Sequence, residues 1–323
     1  MTATPTRGSL NVVLIADSDS QLLACEALCS APTELNVHWT INVIPRDGTP
    51  RALLERMAQR ASLRHQSLTR LLRDRRLKNF DAIGVFLTGS KINDIRLALQ
   101  RDRQRPLLFC GFNGVVLDHF IEGVSWRLGY DLICLSGPRD QEALAQLVSG
   151  TPFGQQRTIL TGLRRNPPSP DLVPVDQRPR RLVFAEQVIM PASTTERTRL
   201  VRLLSDLANR SPNWEVLIKP RIAPGDATFH DVDTHISTTL KQTLGVPPAN
   251  LRLDYRPLPV LLKQARLLAT LSSTAFFDAL DFGCGVIAIS DLGLQPNYGG
   301  HIYAGSGVWS SLEAISSLDA LDA

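Results

Sequence analysis

Residues 267–293, LLATLSSTAFFDALDFGCGVIAISDLG, decide the fold. The apolar run 267–271 has the length and composition of a buried strand. Ser272, Ser273 and Thr274 follow at once, and their hydroxyls can accept bonds from the first free N–H groups of a helix. No Glu or Gln stands three residues on to complete a capping box. The spacing of Phe276, Phe277 and Leu280 predicts one apolar helix face. Gly283 and Gly285 end that helix, and 286–289 is a second apolar run of strand length. A strand–helix–strand unit of this kind builds a parallel sheet. Ligands of open α/β sheets bind beyond the carboxyl ends of strands. There a helix start offers unpaired N–H groups and about half a positive charge to a phosphate. The three hydroxyls are therefore either caps alone or caps that also bind an anion.

The same rhythm runs outward in both directions. Towards the amino end, residues 10–16 (LNVVLIA) form a strand that runs into Asp17-Ser18-Asp19-Ser20 and an amphipathic segment, 21–29. That turn lacks the GxGxxG spacing of a dinucleotide site, and its carboxylates suit a helix start or a cleft. Strands follow at 38–43, 80–87, 106–110, 130–135 and 158–162, with helices between them, which describes a doubly wound half. Residues 166–179 (NPPSPDLVPVDQRP) have no periodicity and read as a linker. The rhythm then restarts with strands at 181–185, 214–218 and 251–253 and helices at 194–209 and 237–244, with another beginning at 259. The chain thus divides into domains at 1–165 and 181–309, joined by 166–180. A last helix over 310–323 would cross back to the first half.

Composition narrows the class. The chain has 323 residues, 43% hydrophobic and 20% charged, with a net charge of +4, as in ordinary globular proteins long enough for two cores. No run of about 18 apolar residues is present to span a membrane. The start, MTATPTRGS, lacks the apolar core of a signal peptide. Five cysteines without CxxC spacing fit a reduced, cytoplasmic protein, and Cys25 and Cys29 read as a buried pair rather than a metal site. Residues 50–77 read as one long helix carrying Arg51, Arg56, Arg60, Arg64, Arg70, Arg73, Arg75 and Arg76. Its arginines form either a solvated face or a basic surface for an acidic glycan, a lipid phosphate or the inner face of a membrane. Without interleaved aromatics, this stretch does not suggest nucleic acid.

Taken in order, several short stretches resemble a bacterial family of glycosyltransferases. They are Ala16–Ser20, residues 123–131 (GVSWRLGYD), Phe184-Ala185-Glu186-Gln187, Pro191, Glu196-Arg197, Lys219-Pro220-Arg221, Ser272-Ser273-Thr274, Asp278-Ala279-Leu280 and Gly283. The resemblance covers most of the chain. It implies an α/β GT-B architecture, with two Rossmann-like doubly wound domains facing each other across a cleft. The second half is also similar to the sialyltransferase, polysialyltransferase and Kdo-transferase group. Those enzymes hold a CMP-sugar with a His-Pro and a Ser-Ser motif. Ser272-Ser273 match the second motif, whereas Lys219-Pro220 stands in the place of His-Pro. The resemblance favours a CMP-sugar and leaves UDP- and GDP-sugars open.

Glycosyl transfer breaks the bond between an anomeric carbon and a phosphate, so negative charge grows on the departing nucleotide. Cations and a helix dipole can absorb that charge without a metal or other cofactor. The donor-side candidates are Gln187, Lys219, Arg221, His230, Ser272, Ser273 and Thr274, with Asp278 placed for ribose hydroxyls. The structural alternative for Arg221 is an ion pair to Asp226 or another nearby carboxylate. An inverting enzyme also needs a general base for the acceptor hydroxyl, and the candidates are Asp19, Glu122, Asp17 and His119, in the first half. The expected partners are a nucleotide-sugar and a glycan or lipid-linked acceptor, with residues 51–78 as the surface for peripheral membrane contact. A sugar-nucleotide 2-epimerase, or a sugar-nucleotide-binding protein without catalysis, would fit the same architecture.

Overall fold

The computed structural model describes residues 9–45, 49, 51–100, 104–114, 116, 119–162, 172–187, 190–224, 234–294, 303 and 305–322. The chain divides into two compact units, Met1–Arg164 and Arg165–Ala323. In the first, β1 (Leu10–Ala16), α1 (Asp19–Ser30), β2 (Val37–Val43), α2 (Arg51–Ala58), β3 (Ser62–His65), α3 (Leu68–Leu72) and β4 (Ala82–Val85) come first. They are followed by α4 (Ser90–Leu99), β5 (Leu107–Cys110), α5 (Phe120–Ser125), β6 (Leu132–Leu135), α6 (Pro138–Val148) and β7 (Thr158–Leu160). The strands form one parallel sheet in the order β3-β2-β1-β4-β5-β6-β7.

The second unit contains β8 (Arg181–Ala185), α7 (Thr194–Arg210), β9 (Glu215–Lys219), α8 (Ile236–Leu244), β10 (Leu251–Leu253) and α9 (Leu258–Leu262). Then come β11 (Leu267–Thr270), α10 (Ala275–Asp281), β12 (Gly285–Ile289) and the short β13 (Trp309–Ser310). Its sheet is parallel throughout, in the order β10-β9-β8-β11-β12-β13. The expected α/β class with two parallel sheets is the one found.

Both sheets are covered on both faces, which is why their strands are nearly continuous apolar runs. Along β1, Val13 and Ile15 pack with Ile92 and Ile95 of α4, while Leu14 and Ala16 pack with Leu22 of α1 and Met57 of α2. Along β8, Leu182 and Phe184 pack under α7, and Val183 and Ala185 pack against Ala275 and Ala279 of α10. Helix α7 alone buries Leu200, Leu203, Leu204 and Leu207, each contributing about 1.5–3 kcal/mol of transfer free energy. Ser193 caps it: its hydroxyl accepts the Glu196 N–H and donates to the Glu196 carboxylate.

The deciding stretch folds as strand, helix and strand. Gly283 takes φ +68°, the left-handed conformation that ends α10. At Gly285 a Cβ would come within 2.7 Å of Leu267 Cδ2, so a larger residue there would push that leucine aside. The buried face of α10 is Ala275, Phe276 and Ala279 rather than the expected Phe276, Phe277 and Leu280. Leu280 is exposed, because the sheet lies beneath the small alanines.

Two other expectations are corrected. Residues 50–77 are not one helix: α2 ends at Ala58, β3 adds an edge strand, and α3 and a 3-10 turn, Arg75–Asn79, follow. Leu63 packs into the β1–β2 core, and that pairing outweighs the helical propensity of the run. Several arginines have local partners: Arg51 with Glu55, Arg56 with Glu26, Arg76 with Asp74, and Arg64 over the Phe80 ring. The carboxyl-terminal segment is not the single helix expected over 310–323 either: only a short 3-10 turn, Leu318–Leu321, forms there. After β13, Leu312, Ile315 and Leu318 insert into the α7-side core of the second unit. Arg210 donates to the carbonyls of Leu312 and Ile315, and the Asp291 carboxylate accepts the N–H groups of Leu312 and Glu313. These side-chain bonds satisfy backbone groups that a helix would have paired internally.

Candidate functional site

In the second sheet the strand order reverses direction between β8 and β11, the topological position where open α/β sheets bind ligands. The loops leaving β8, β9 and β11 meet at that edge. Gln187, two residues past β8, reaches the turn after β11. Its Oε1 accepts the Ser272 N–H at 2.9 Å, and its Nε2 donates to Ser272 Oγ at 3.2 Å. Among the described residues the Ser272 hydroxyl donates to Met190 Sδ at 3.6 Å, a weak acceptor that a better one could replace.

Thr270 sets this turn from below. It is fully buried at the end of β11. Its Oγ1 donates to the Ala185 carbonyl at 3.1 Å and accepts the Ser273 N–H at 3.2 Å, fastening the turn to β8. Ser273 Oγ accepts the Ala275 N–H at 3.2 Å, and Tyr303 donates to the Ser273 carbonyl. Ser273 is thus a cap. Thr274 is exposed and makes no side-chain cap bond. Asp278 lies one turn further along α10, half-buried.

The charges come from the neighbouring loop. Ala185 of β8 is in register with Lys219 of β9, so Glu186 leaves the sheet beside Pro220 and Arg221. The Glu186 N–H donates to the Lys219 carbonyl at 3.1 Å, and its Oε2 accepts the Arg221 N–H at 3.2 Å. Lys219 Nζ folds back onto the Pro220 carbonyl. Burial pulls the Lys219 ammonium below its ordinary pKa, opposed by the nearby Glu186 and Asp254 carboxylates. Burial likewise pushes the Glu186 carboxyl up, opposed by the Arg221 N–H and by Arg197, His235 and Lys219. Arg197 of α7 is buried and donates to the carbonyls of Pro191 and Thr234. His235 caps α8, holds the Ile222 carbonyl at 3.0 Å and stacks on Tyr255.

Of the donor-side candidates, Gln187 is in direct contact with Ser272, and Lys219 and Arg221 share the adjacent strand-end loop. His230, and Asp226, the alternative partner of Arg221, lie outside the described residues. Thr270 and Met190 are not marked by the sequence, and Glu186 is marked there only within the Phe184–Gln187 stretch, not as a site residue. A lone hydroxyl at the end of the apolar run LLAT was the available signal for Thr270, because a buried hydroxyl needs partners.

The first-unit candidates lie beyond the carboxyl ends of β1 and β5. Asp17 is 3% exposed and accepts Lys91 Nζ of α4 at 2.6 Å, joining β1 to the helix after β4 across the reversal of that sheet. Its Oδ1 is buried and has no hydrogen-bond partner among the described residues. Asp19 opens α1, half-buried, and its Oδ1 accepts the Ser20 N–H. His119 takes φ 59° just before α5, and its Nδ1 lies 3.8 Å from Glu122, both side chains exposed. Asp17 is therefore built into the fold, whereas Asp19 and Glu122 remain accessible. Among the described residues no cluster of three His, Cys, Asp or Glu side chains could hold a metal ion, and no helix is long and apolar enough to cross a membrane.

Residues 12–322 match the family described as "Putative glycosyltransferase (DUF6716)". The chain belongs to that family. No curated protein matches the sequence. Among solved structures, the UDP-GlcNAc 2-epimerase of Methanocaldococcus jannaschii is similar at a TM-score of 0.60 and 11% identity, over 98% of this chain and 92% of that one. The UDP-GlcNAc 2-epimerase of Neisseria meningitidis, solved bound to UDP-GlcNAc, gives 0.59 and 12% over 95% and 88%. A UDP-glucosyltransferase of Polygonum tinctorium gives 0.57 and 13% over 98% and 89%. At these identities the likeness shows a shared fold, the one found in GT-B glycosyltransferases and in epimerases.

Proposed function

We propose that this protein transfers a sugar from a nucleotide-sugar to a glycan or lipid-linked acceptor, and that its second unit holds the donor. The observation that carries the reading is the Gln187–Ser272 contact at the β8/β11 reversal, next to the Lys219-Pro220-Arg221 loop. The Ser272 hydroxyl, the Ser273–Thr274 turn and the two cations would take up the charge that grows on the departing phosphate without a metal. Asp278 would face the ribose. In the first unit, Asp19 and Glu122 are the acidic groups accessible for activating an acceptor hydroxyl.

The test is a thermal-shift screen with CMP, UDP, GDP and their sugar conjugates. A ligand at a hundredfold excess over its Kd stabilises by about 2.7 kcal/mol. The reading expects a shift with one nucleotide class, lost in Lys219→Ala and Ser272→Ala. A folded protein that responds to none of them refutes the donor site. Conversion of UDP-GlcNAc to its 2-epimer with no acceptor present would replace transfer by epimerisation. Binding without turnover on any acceptor, unchanged in Asp19→Asn and Glu122→Gln, would leave a binding protein.

A further inference from the structure

Glu186 raises a physical question that the donor reading leaves open. A carboxyl group sits in the loop proposed to receive a phosphate, where a fixed negative charge would repel the ligand. Yet it organises that loop, accepting the Arg221 N–H through Oε2 while its own N–H donates to the Lys219 carbonyl. Three cationic or ionisable side chains act on it, Lys219 from the end of β9, Arg197 from α7 and His235 from the start of α8, together with the Arg221 N–H. Asp254, after β10, faces Lys219 from the other side but is held by Arg256, which donates to both of its oxygens. Glu186 is thus the carboxylate that tethers the Arg221 backbone and balances the Lys219 ammonium.

We propose that Glu186 is a positioning residue and counter-charge of the phosphate subsite, and that it takes up a proton when the phosphate of a nucleotide-sugar binds. This rests on the donor reading above. In the free protein the carboxylate balances Lys219. A bound phosphate competes for that cation and brings negative charge close to Glu186, which raises the affinity of that carboxylate for a proton. The proton comes from solvent and adds to the carboxylate as the phosphate takes over its electrostatic role. The neutral acid still accepts the Arg221 N–H through its carbonyl oxygen, so the loop keeps its shape. Burial already pushes this carboxyl upward in the free state, which brings uptake closer to neutral pH.

The sign follows from linkage: a ligand whose binding takes up a proton binds more weakly as pH rises. Full uptake of one proton weakens Kd about tenfold per pH unit between the free and bound pKa values. The probe is the nucleotide-sugar that gives the largest thermal shift, because its phosphodiesters do not themselves titrate near neutrality. Isothermal titration calorimetry of the wild-type protein in buffers of different ionisation enthalpy counts the protons directly, and repeating it from about pH 5.5 to about pH 8.5 gives the slope. The expected result is net uptake with a falling affinity. Glu186→Gln, which keeps an acceptor for the Arg221 N–H, should bind more tightly than wild type at the alkaline end and lose most of the slope. Binding without proton uptake, or a slope unchanged in Glu186→Gln, overturns this inference and leaves the donor site standing. Absence of nucleotide binding at every pH overturns both.

Discussion

Thr270→Val offers the sharpest test of how the hydroxyl turn is held. Valine has nearly the shape of threonine, so packing in the fully buried strand end is kept and the two Oγ1 bonds are lost. The Ala185 carbonyl, also buried, loses its bond to this hydroxyl, at a cost of about 1–3 kcal/mol. The Ser273 N–H lies in a half-exposed turn and can regain water, so it adds little. We expect a total of about 2 kcal/mol, which lowers Tm by roughly 4–8 °C for a domain of this size. Differential scanning calorimetry of the full chain measures it. Thr270→Ser keeps both bonds and loses one methyl group, so it should cost about 1 kcal/mol or less. If donor binding uses the Ser272–Thr274 turn, Thr270→Val should also weaken nucleotide affinity about tenfold or more, while Thr270→Ser keeps it. A valine variant as stable as wild type, or less perturbed than the serine variant, would refute the assigned role of this hydroxyl.

The remaining predictions concern the frame around the site. Lys91→Met leaves the Asp17 carboxylate buried and unpaired and should cost about 2–3 kcal/mol, whereas Asp17→Asn frees a half-exposed lysine to water and should cost only about 1 kcal/mol. Urea midpoints in the reverse order would show that the pair is not held as described. Arg178 is buried and donates to the carbonyls of Val173, Leu262, Ala265 and Phe282, so Arg178→Lys, a point charge without the fork, should cost about 3–5 kcal/mol in a urea titration. Burial pushes the Cys284 and Cys134 thiols up to about 11 and Cys29 to about 12, from an ordinary 9.0. The folded state then holds these protons while the unfolded chain releases them, so stability should fall as pH rises from about 9 towards 11. Urea midpoints across that range check the sign, and a cysteine-free variant should show a smaller fall.

The domain rhythm was legible because a parallel sheet writes itself into sequence: each strand is an apolar run, and each is followed by a polar turn and a helix. The runs at 10–16, 181–185 and 267–270 fell where expected for this reason. The Arg-rich segment misled because charge and helical propensity are local, whereas the Leu63 contact and the β2–β3 pairing that place an edge strand there are not. Leu280 was misassigned because spacing gives an apolar face but not which residues the sheet has room for.

The site divides in the same way. The sequence by itself determined which loops carry hydroxyls and cations, because strand ends, helix starts and side-chain chemistry are properties of short segments. It also marked Gln187, Lys219 and Ser272 without relating them to one another. Only the tertiary structure decided that Gln187 contacts Ser272 across 85 positions, that Thr270 is the buried fastener, and that Glu186 stands among the cations. It also decided that Asp17 is bonded to Lys91. Strand order brings these groups together. That order is set by which apolar faces pack, a global property that no short stretch of sequence contains.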